Sequence, residues 1–512
     1  MVETIGFPVT ANQSSAGDCL PIDSDTLAGC TVTNSSAYAV EYSTGGAWTT
    51  IAAGGSATIN TGAIATTSLR FRKKTGDSIP VVLSVAVTHP GTAPAKLATD
   101  VGGKVLGFSS AYGPLGRGGN IGTRIFGGRM GTFDNTTQQT FHVVLTTAQH
   151  FDAVRLIFAN GTTSTATVGV AKVSPLSDLS TAANQNNSGG TWTSVTFAGG
   201  SATGTIPAAG GASFRRSFLL SDWISVSSLD RVDGGTFPAI AVRAYISTSG
   251  TIGVLGNGTD IFTNWDTNPS GRVHIMRNQA GDQVTAPGGF SSTTNTSQSP
   301  IVGIQYAARG RVITVMGIGD SITEGRGTYK GEGFGMPACA AISDINGVAV
   351  EWSNCGWSGA SPSQIMALGV DTLQYFSPDI FVLPNGSPNV SAAPITASGI
   401  TSSRQMLYRL LAECQIKGVR PLIWTWLPTN DTVKAWNSSD SLRRAWNDDT
   451  RRLATQRGLL VLDADAVLAG VDNGAGQIQM LAGSSSDGVH PNDTGNALLA
   501  AEFKKAFAIL SQ

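Results

Sequence analysis

Apolar and polar positions follow two different rhythms along this 512-residue chain. Up to about residue 308 the apolar residues come in short runs. Val81, Leu83, Val85 and Val87 alternate with smaller neighbours, and FHVVLTT (141–147), AVRLIFA (153–159), ATVGVAKV (166–173), WTSVTFA (192–198) and AIAVRAYI (239–246) are separated by Gly, Ser, Thr and Asn. Such runs between turn-rich separators predict strands, and within residues 1–92 the spacing leaves no room for helices. The separator STAANQNNSGG (180–190) reads as loop. Two β domains are expected: a small β-sandwich over residues 1–92 and a β-sandwich or jelly roll over 93–308, with the Pro-, Gly- and Ala-rich stretch 88–103 as a linker.

After Arg311 the rhythm changes. The apolar strand RVITVMG is followed by a helix-compatible stretch (336–345), the strand VAVEWSN (348–354), and a helix that starts near Ser361-Pro362. Next come the strand DIFVLPN (379–385), an amphipathic helix (402–418) and the strand PLIWTWLP (421–428). A helix around SLRRAWNDDTRRLATQRG, the strand LLVLDAD and a last helix after Pro491 complete the pattern. Strands alternating with helices of this length imply crossover connections and a mostly parallel sheet covered on both faces. Residues 309–512 are therefore expected to form a doubly wound, flavodoxin-like α/β domain.

Composition narrows the setting. Lys plus Arg (33) nearly balance Asp plus Glu (34), which gives no electrostatic footprint for nucleic acid or an anionic membrane. No apolar run is long enough to span a bilayer. The opening MVETIGFPVTANQ lacks a basic segment leading into an apolar one, so no secretory signal is expected. The chain as a whole is rich in Gly (63), Ser, Thr and Asn, a composition common in extracellular or particle-bound β-proteins. Five cysteines without C-x-x-C spacing argue against a disulfide scaffold and a thiolate metal site, although Cys19 and Cys30 are placed to pair across a short loop. No H-E-x-x-H or similar ligand set is present, so neither a metal nor a cofactor is expected.

Candidate chemistry falls at the carboxyl ends of the predicted parallel strands, where open α/β sheets bind ligands. GIGDSIT (317–323) follows the first strand, NCGWSGAS (354–361) the second, NGSPNV (385–390) the third, and SSSDGVHPND (484–493) the last. A serine hydroxyl attacks a carbonyl only when a base takes its proton, and a carboxylate best fixes that base. The predicted α/β domain contains one histidine, His490, with Asp487 three residues before it. Ser321, His490 and Asp487 therefore read as nucleophile, base and orienting acid. The backbone N–H groups of Ser321 and Gly359 and the side-chain amide of Asn389 read as oxyanion donors. Each stretch also reads as a turn, and Asn492 as the cap of the final helix, which is compatible with a held base. Ser358 in GWSGA is one residue short of a G-x-S-x-G elbow.

The ordered blocks resemble those of the SGNH hydrolases, the GDSL esterase and lipase family. GDSIT with Ser321 is similar to the first block, Asn354, Gly356 and Gly359 to the second, and Asp487 with His490 to the last. The resemblance covers about residues 311–512 and implies the same roles for Ser321, His490, Asp487, Gly359 and Asn389. The third block departs from G-x-N-D. Ser387 stands in the glycine's place, Val390 stands in the aspartate's, and Asn385 is a rival to Asn389.

The family's activities include hydrolysis of sugar acetyl esters. Trp357, Trp424, Trp426 and Trp436 lie near the blocks as candidate sugar platforms. The layout resembles phage tail-associated or modular carbohydrate esterases. The expected substrate is thus an O-acetylated surface polysaccharide, with self-association and tail or particle components as partners and a virion or extracellular location. A general short-chain carboxylesterase and a structural, glycan-binding particle protein are the alternatives.

Overall fold

The structure, a computed structural model, describes residues 2–9, 29–34, 40–43, 49–52, 55–59, 70–73, 81–88, 121–126, 130–210, 215–256, 272–296, 298–326, 333–346, 348–389, 395–430 and 440–508. Cys19, His89, Val390, Trp436 and most of GRGTYKGEG (325–333) lie outside these residues, as does the side chain of Cys30. The chain forms two compact units, Met1–Val101 and Gly102–Gln512.

The first unit is antiparallel β structure. One sheet runs Val2–Val9, Val81–Thr88, Gly29–Asn34, Ser56–Ile59, and a three-stranded sheet pairs Val40–Ser43 with Thr49–Ile51 and Arg70–Lys73.

In the second unit, two larger antiparallel sheets precede the α/β region. One is built around Ala166–Leu176, Ala239–Ile246, Gln139–Thr146 and His274–Ala280, the other around Phe151–Asn160, Ile301–Ala308 and Ile121–Ile125. Within STAANQNNSGG, read from sequence as loop, Ala182–Asn186 forms a short helix. Thr181 caps it by accepting from the Asn184 N–H, a local hydroxyl interaction that hydrophobic periodicity does not register.

The parallel sheet has the spatial order Ala349–Asn354, Val312–Gly317, Ile380–Pro384, Arg420–Trp424, Leu460–Leu462. In chain order this is 2-1-3-4-5, with the reversal beside the first strand. Successive side chains point to opposite faces. Ile313, Val315, Ile380 and Val382 pack with Phe334, which directly precedes the helix Gly335–Asn346, with Ile342 of that helix, and with Leu499 and Phe503 of the helix Asp493–Ala508. Val312, Met316, Phe381 and Leu383 pack with Ile365, Leu368, Leu407 and Leu410 from Pro362–Tyr375 and Ala397–Lys417. This second core continues without a break into the antiparallel sheets through Phe218, which meets Tyr375 and Phe376 edge-on.

Candidate active site

Ser321 begins a single-turn helix, Ser321–Glu324, directly after the first parallel strand. Asp320 caps that turn, its Oδ1 accepting from the Ile322 N–H at 2.9 Å. The stretch GIGDSIT is therefore both a turn and a mount for the serine. As the first helical residue, Ser321 carries an N–H with no intrahelical acceptor, as an oxyanion donor requires.

The end of the second strand holds this mount in place. Asn354 donates from Nδ2 to the carbonyls of Thr323 (2.9 Å) and Glu324 (3.3 Å) and accepts from the Gly356 N–H (2.9 Å). A Cβ at Gly356 would lie 2.4 Å from the Glu324 nitrogen, so this close approach needs glycine. Gly359, three residues on, is exposed and has φ of +83°, so its backbone conformation selects glycine while its surroundings stay open.

His490 lies on the loop before the last helix, in the same structural unit. The Asn430 N–H donates to Gly488 O at 2.9 Å, and the Asn492 N–H donates to Ser484 O at 2.9 Å, pinning the loop from both sides. Asn492 Oδ1 accepts from the Gly495 N–H, so the expected cap is present. His490 Nε2 is 2.8 Å from Ser321 Oγ, and Nδ1 is 2.6 Å from Asp487 Oδ2. Asp487 Oδ1 accepts from the N–H groups of Val489 (2.9 Å) and His490 (2.8 Å). Burial pushes the Asp487 carboxyl up, but the His490 ring and these two N–H groups outweigh it and hold the pKa at about 2. An ionised Asp487 accepts a hydrogen bond from Nδ1–H, which fixes the tautomer that leaves the Nε2 lone pair facing the serine hydroxyl.

The third strand end separates the two asparagines. Asn385 is buried, and its Nδ2 donates to Asn447 Oδ1 (2.8 Å) and Thr450 Oγ1 (2.9 Å) on the helix Asp440–Arg457. Asn389 is half-buried, and its Nδ2 reaches Ala360 O (3.3 Å) and Ser387 Oγ (3.2 Å), beside the Gly359 turn. The side chain next to the second-strand loop is therefore Asn389.

Several contributors were not legible as site residues. Asp320 could have been found as an Asp at a helix N-cap. Ser387 gave no signal beyond its departure from a motif. Arg216, from the antiparallel part, places its guanidinium 5.1 Å above the Trp357 ring, and Arg215 pairs with Asp371 through contacts of 2.6 and 2.8 Å. No local pattern announces contacts between segments so far apart. The tryptophans read as sugar platforms turn inward instead: Trp357, Trp424 and Trp426 are all buried.

Residues 318–498 match the GDSL-like lipase/acylhydrolase family, so part of the chain is an SGNH/GDSL hydrolase-like domain. Among solved structures, a GDSL-like lipase from Bacteroides thetaiotaomicron is 17% identical, with 38% of this chain and 88% of that chain covered and a TM-score of 0.31. A member of the lipolytic G-D-S-L family from Veillonella parvula is 22% identical, with 38% and 98% covered and a TM-score of 0.31. No curated protein matches the chain.

Proposed function

We propose that this chain is a serine esterase that hydrolyses short-chain carboxylic esters. The observation that carries this reading is the hydrogen-bonded chain from Ser321 Oγ through the His490 ring to Asp487, at the carboxyl end of a parallel sheet. Ser321 Oγ attacks the ester carbonyl while its proton passes to His490 Nε2. The oxyanion is met by the N–H groups of Ser321 and Gly359 and by the Asn389 amide. His490 returns the proton to the leaving alcohol, and water then attacks the acyl-serine by the same route in reverse.

The test is covalent capture. Ser321 should gain a single phosphonyl adduct from a fluorophosphonate, and Ser321→Ala should lose both labelling and aryl acetate hydrolysis. Retention of more than about a tenth of kcat by that variant would overturn the reading, because loss of the nucleophile leaves only residual rates.

A narrower substrate belongs to the same proposal: O-acetyl groups on a surface polysaccharide. The hydroxyl- and amide-rich antiparallel region, read as a β-sandwich or jelly roll, favours it; the tryptophans do not, since those described are buried. The mass change of defined acetylated glycans on incubation tests it. Self-association and attachment to a tail or particle rest on composition and layout. A monomeric full chain in light scattering at micromolar concentration would remove the self-association part.

A further inference from the structure

Ser387 occupies the place where the family pattern has glycine, and its hydroxyl is the most contacted polar group of the third strand end. Its Oγ is 2.5 Å from Asp320 Oδ2 and 2.9 Å from Ala360 O. It also receives the Asn389 N–H and Nδ2, each at 3.2 Å. A hydroxyl carries one proton and two lone pairs. With the proton on the nearer, charged partner Asp320, both lone pairs face the two Asn389 donors. Ala360 O is then served by the second hydrogen of Asn389 Nδ2, at 3.3 Å.

We infer that Ser387 is a positioning residue that presents the Asn389 amide to the oxyanion. This rests on the esterase reading of the same site. Asp320 caps the helix turn that carries Ser321, and through Oδ2 it also fixes the Ser387 hydroxyl. The mount of the nucleophile and the side-chain oxyanion donor therefore share one buried node. Both contacts of Asn389 Nδ2 are long, so one is readily exchanged for the shorter bond that a charged oxygen offers as the tetrahedral intermediate forms. A glycine at 387 would leave the asparagine to be placed by its backbone alone; the serine adds a side-chain anchor.

The experiment is a double-mutant cycle on aryl acetate hydrolysis, with Ser387→Ala, Asn389→Ala and the pair made in the full chain. Ser387→Ala should lower kcat about tenfold, a fraction of the loss expected for removing a whole oxyanion donor, with KM little changed. In the Asn389→Ala background the same change should lower kcat less than twofold, because the group it positions is gone. Ser387→Thr, which keeps the hydroxyl, should recover most of the rate. Equal losses in both backgrounds, or an unchanged kcat in Ser387→Ala, would overturn the inference. Should Ser387→Ala fail to fold, Ser387→Gly run through the same cycle decides it, because it removes the hydroxyl and leaves the Asp320 cap of the Ser321 turn in place. Ser321→Ala separates the two readings. Activity surviving in that variant removes the esterase mechanism, whereas an inactive Ser321→Ala with an additive cycle removes only the role of Ser387.

Discussion

Glu351 Oε1, on the outer strand of the parallel sheet, lies 2.7 Å from Arg272 Nη2 of the antiparallel part, and both side chains are essentially inaccessible to solvent. The same carboxylate accepts from the Tyr306 hydroxyl (2.7 Å) and the Ala148 N–H (2.7 Å), and Arg124 Nη1 lies 3.4 Å away. Every one of these partners belongs to residues 124–306. Nearby, Ser353 Oγ donates to Thr123 O and accepts from the Ile125 N–H, and the Thr123 N–H donates to Thr314 Oγ1. The edge of the parallel sheet is thus sealed by side-chain bonds to a strand of the neighbouring sheet.

Removal of that neighbour takes away these partners together and exposes to water part of the apolar core that the two regions share. Residues 309–512 expressed alone should therefore be poorly soluble or unfold without a cooperative transition. Residues 102–512 should unfold cooperatively. Urea melts followed by circular dichroism check this, and a midpoint for 309–512 equal to that of 102–512 would defeat the expectation. Within the longer chain, Glu351→Ala should lower the midpoint strongly and leave kcat per folded molecule nearly unchanged.

Two aspartates beside the nucleophile should tilt the stability of the fold in opposite directions with pH. Burial raises the Asp320 pKa above the ordinary 3.8, against the Ser387 and Ile322 hydrogen bonds and the charge of His490. The folded state then keeps a proton that the unfolded chain has released, so this group makes stability fall as pH climbs from 3.8 through its folded value. Asp487, at about 2 when folded, contributes stability that is present above 3.8 and lost as pH falls through about 2. Half of the Asp487 side chain is exposed, so solvent screening keeps its effect small. Thermal melts of wild type, Asp320→Asn and Asp487→Asn from pH 2 to 7 resolve the two. The wild type should lose ground relative to Asp320→Asn as pH rises and gain it relative to Asp487→Asn. Parallel curves for all three would contradict both assignments.

Asp487→Asn should also cut kcat, by up to about 10⁴-fold, because an amide no longer enforces the tautomer that leaves Nε2 free. Fluorophosphonate labelling of Ser321 should slow in parallel, since the same proton transfer activates the serine. Labelling at the wild-type rate would show that the loop backbone alone orients His490.

The sequence carried the parallel sheet and the serine, histidine and aspartate because both rest on local signals. Val312–Gly317 is a continuous apolar run that ends in Gly, Asp and Ser, and Asp487 sits three residues from His490 on one loop. What it did not carry depends on segments far apart in the chain. Glu351 reads as an odd charge in a strand until Arg272 and Tyr306 surround it. Trp424 and Trp426 look available for a ligand until the helices cover them. Ser387 reads only as a departure from a motif, and its hydroxyl bond to Asp320 shows in the fold alone. The short helix Ala182–Asn186 is not legible because the Thr181 hydroxyl, accepting from the Asn184 N–H, starts it without an apolar face.

The choice between Asn385 and Asn389 is open to a direct test, because the two side chains do different work. The Asn385 amide is spent on Asn447 and Thr450, tying the third strand to a helix. Asn385→Ala leaves those buried acceptors short of a donor, so it should lower stability by about 1–3 kcal/mol while kcat stays near wild type. Asn389 is half-buried, and its amide has only long contacts beside the Gly359 turn. Asn389→Ala should lower kcat by about 10²- to 10³-fold with little change in KM, because its bond strengthens only as the oxygen gains charge. Its melting temperature should barely move. The reverse result, a large kcat loss in Asn385→Ala and a small one in Asn389→Ala, would mean that the third block has been read in the wrong register. If both variants keep near-normal kcat while Ser321 is essential, the oxyanion is held by the backbone N–H groups of Ser321 and Gly359, and the serine at 387 then marks a site that has given up its side-chain donor.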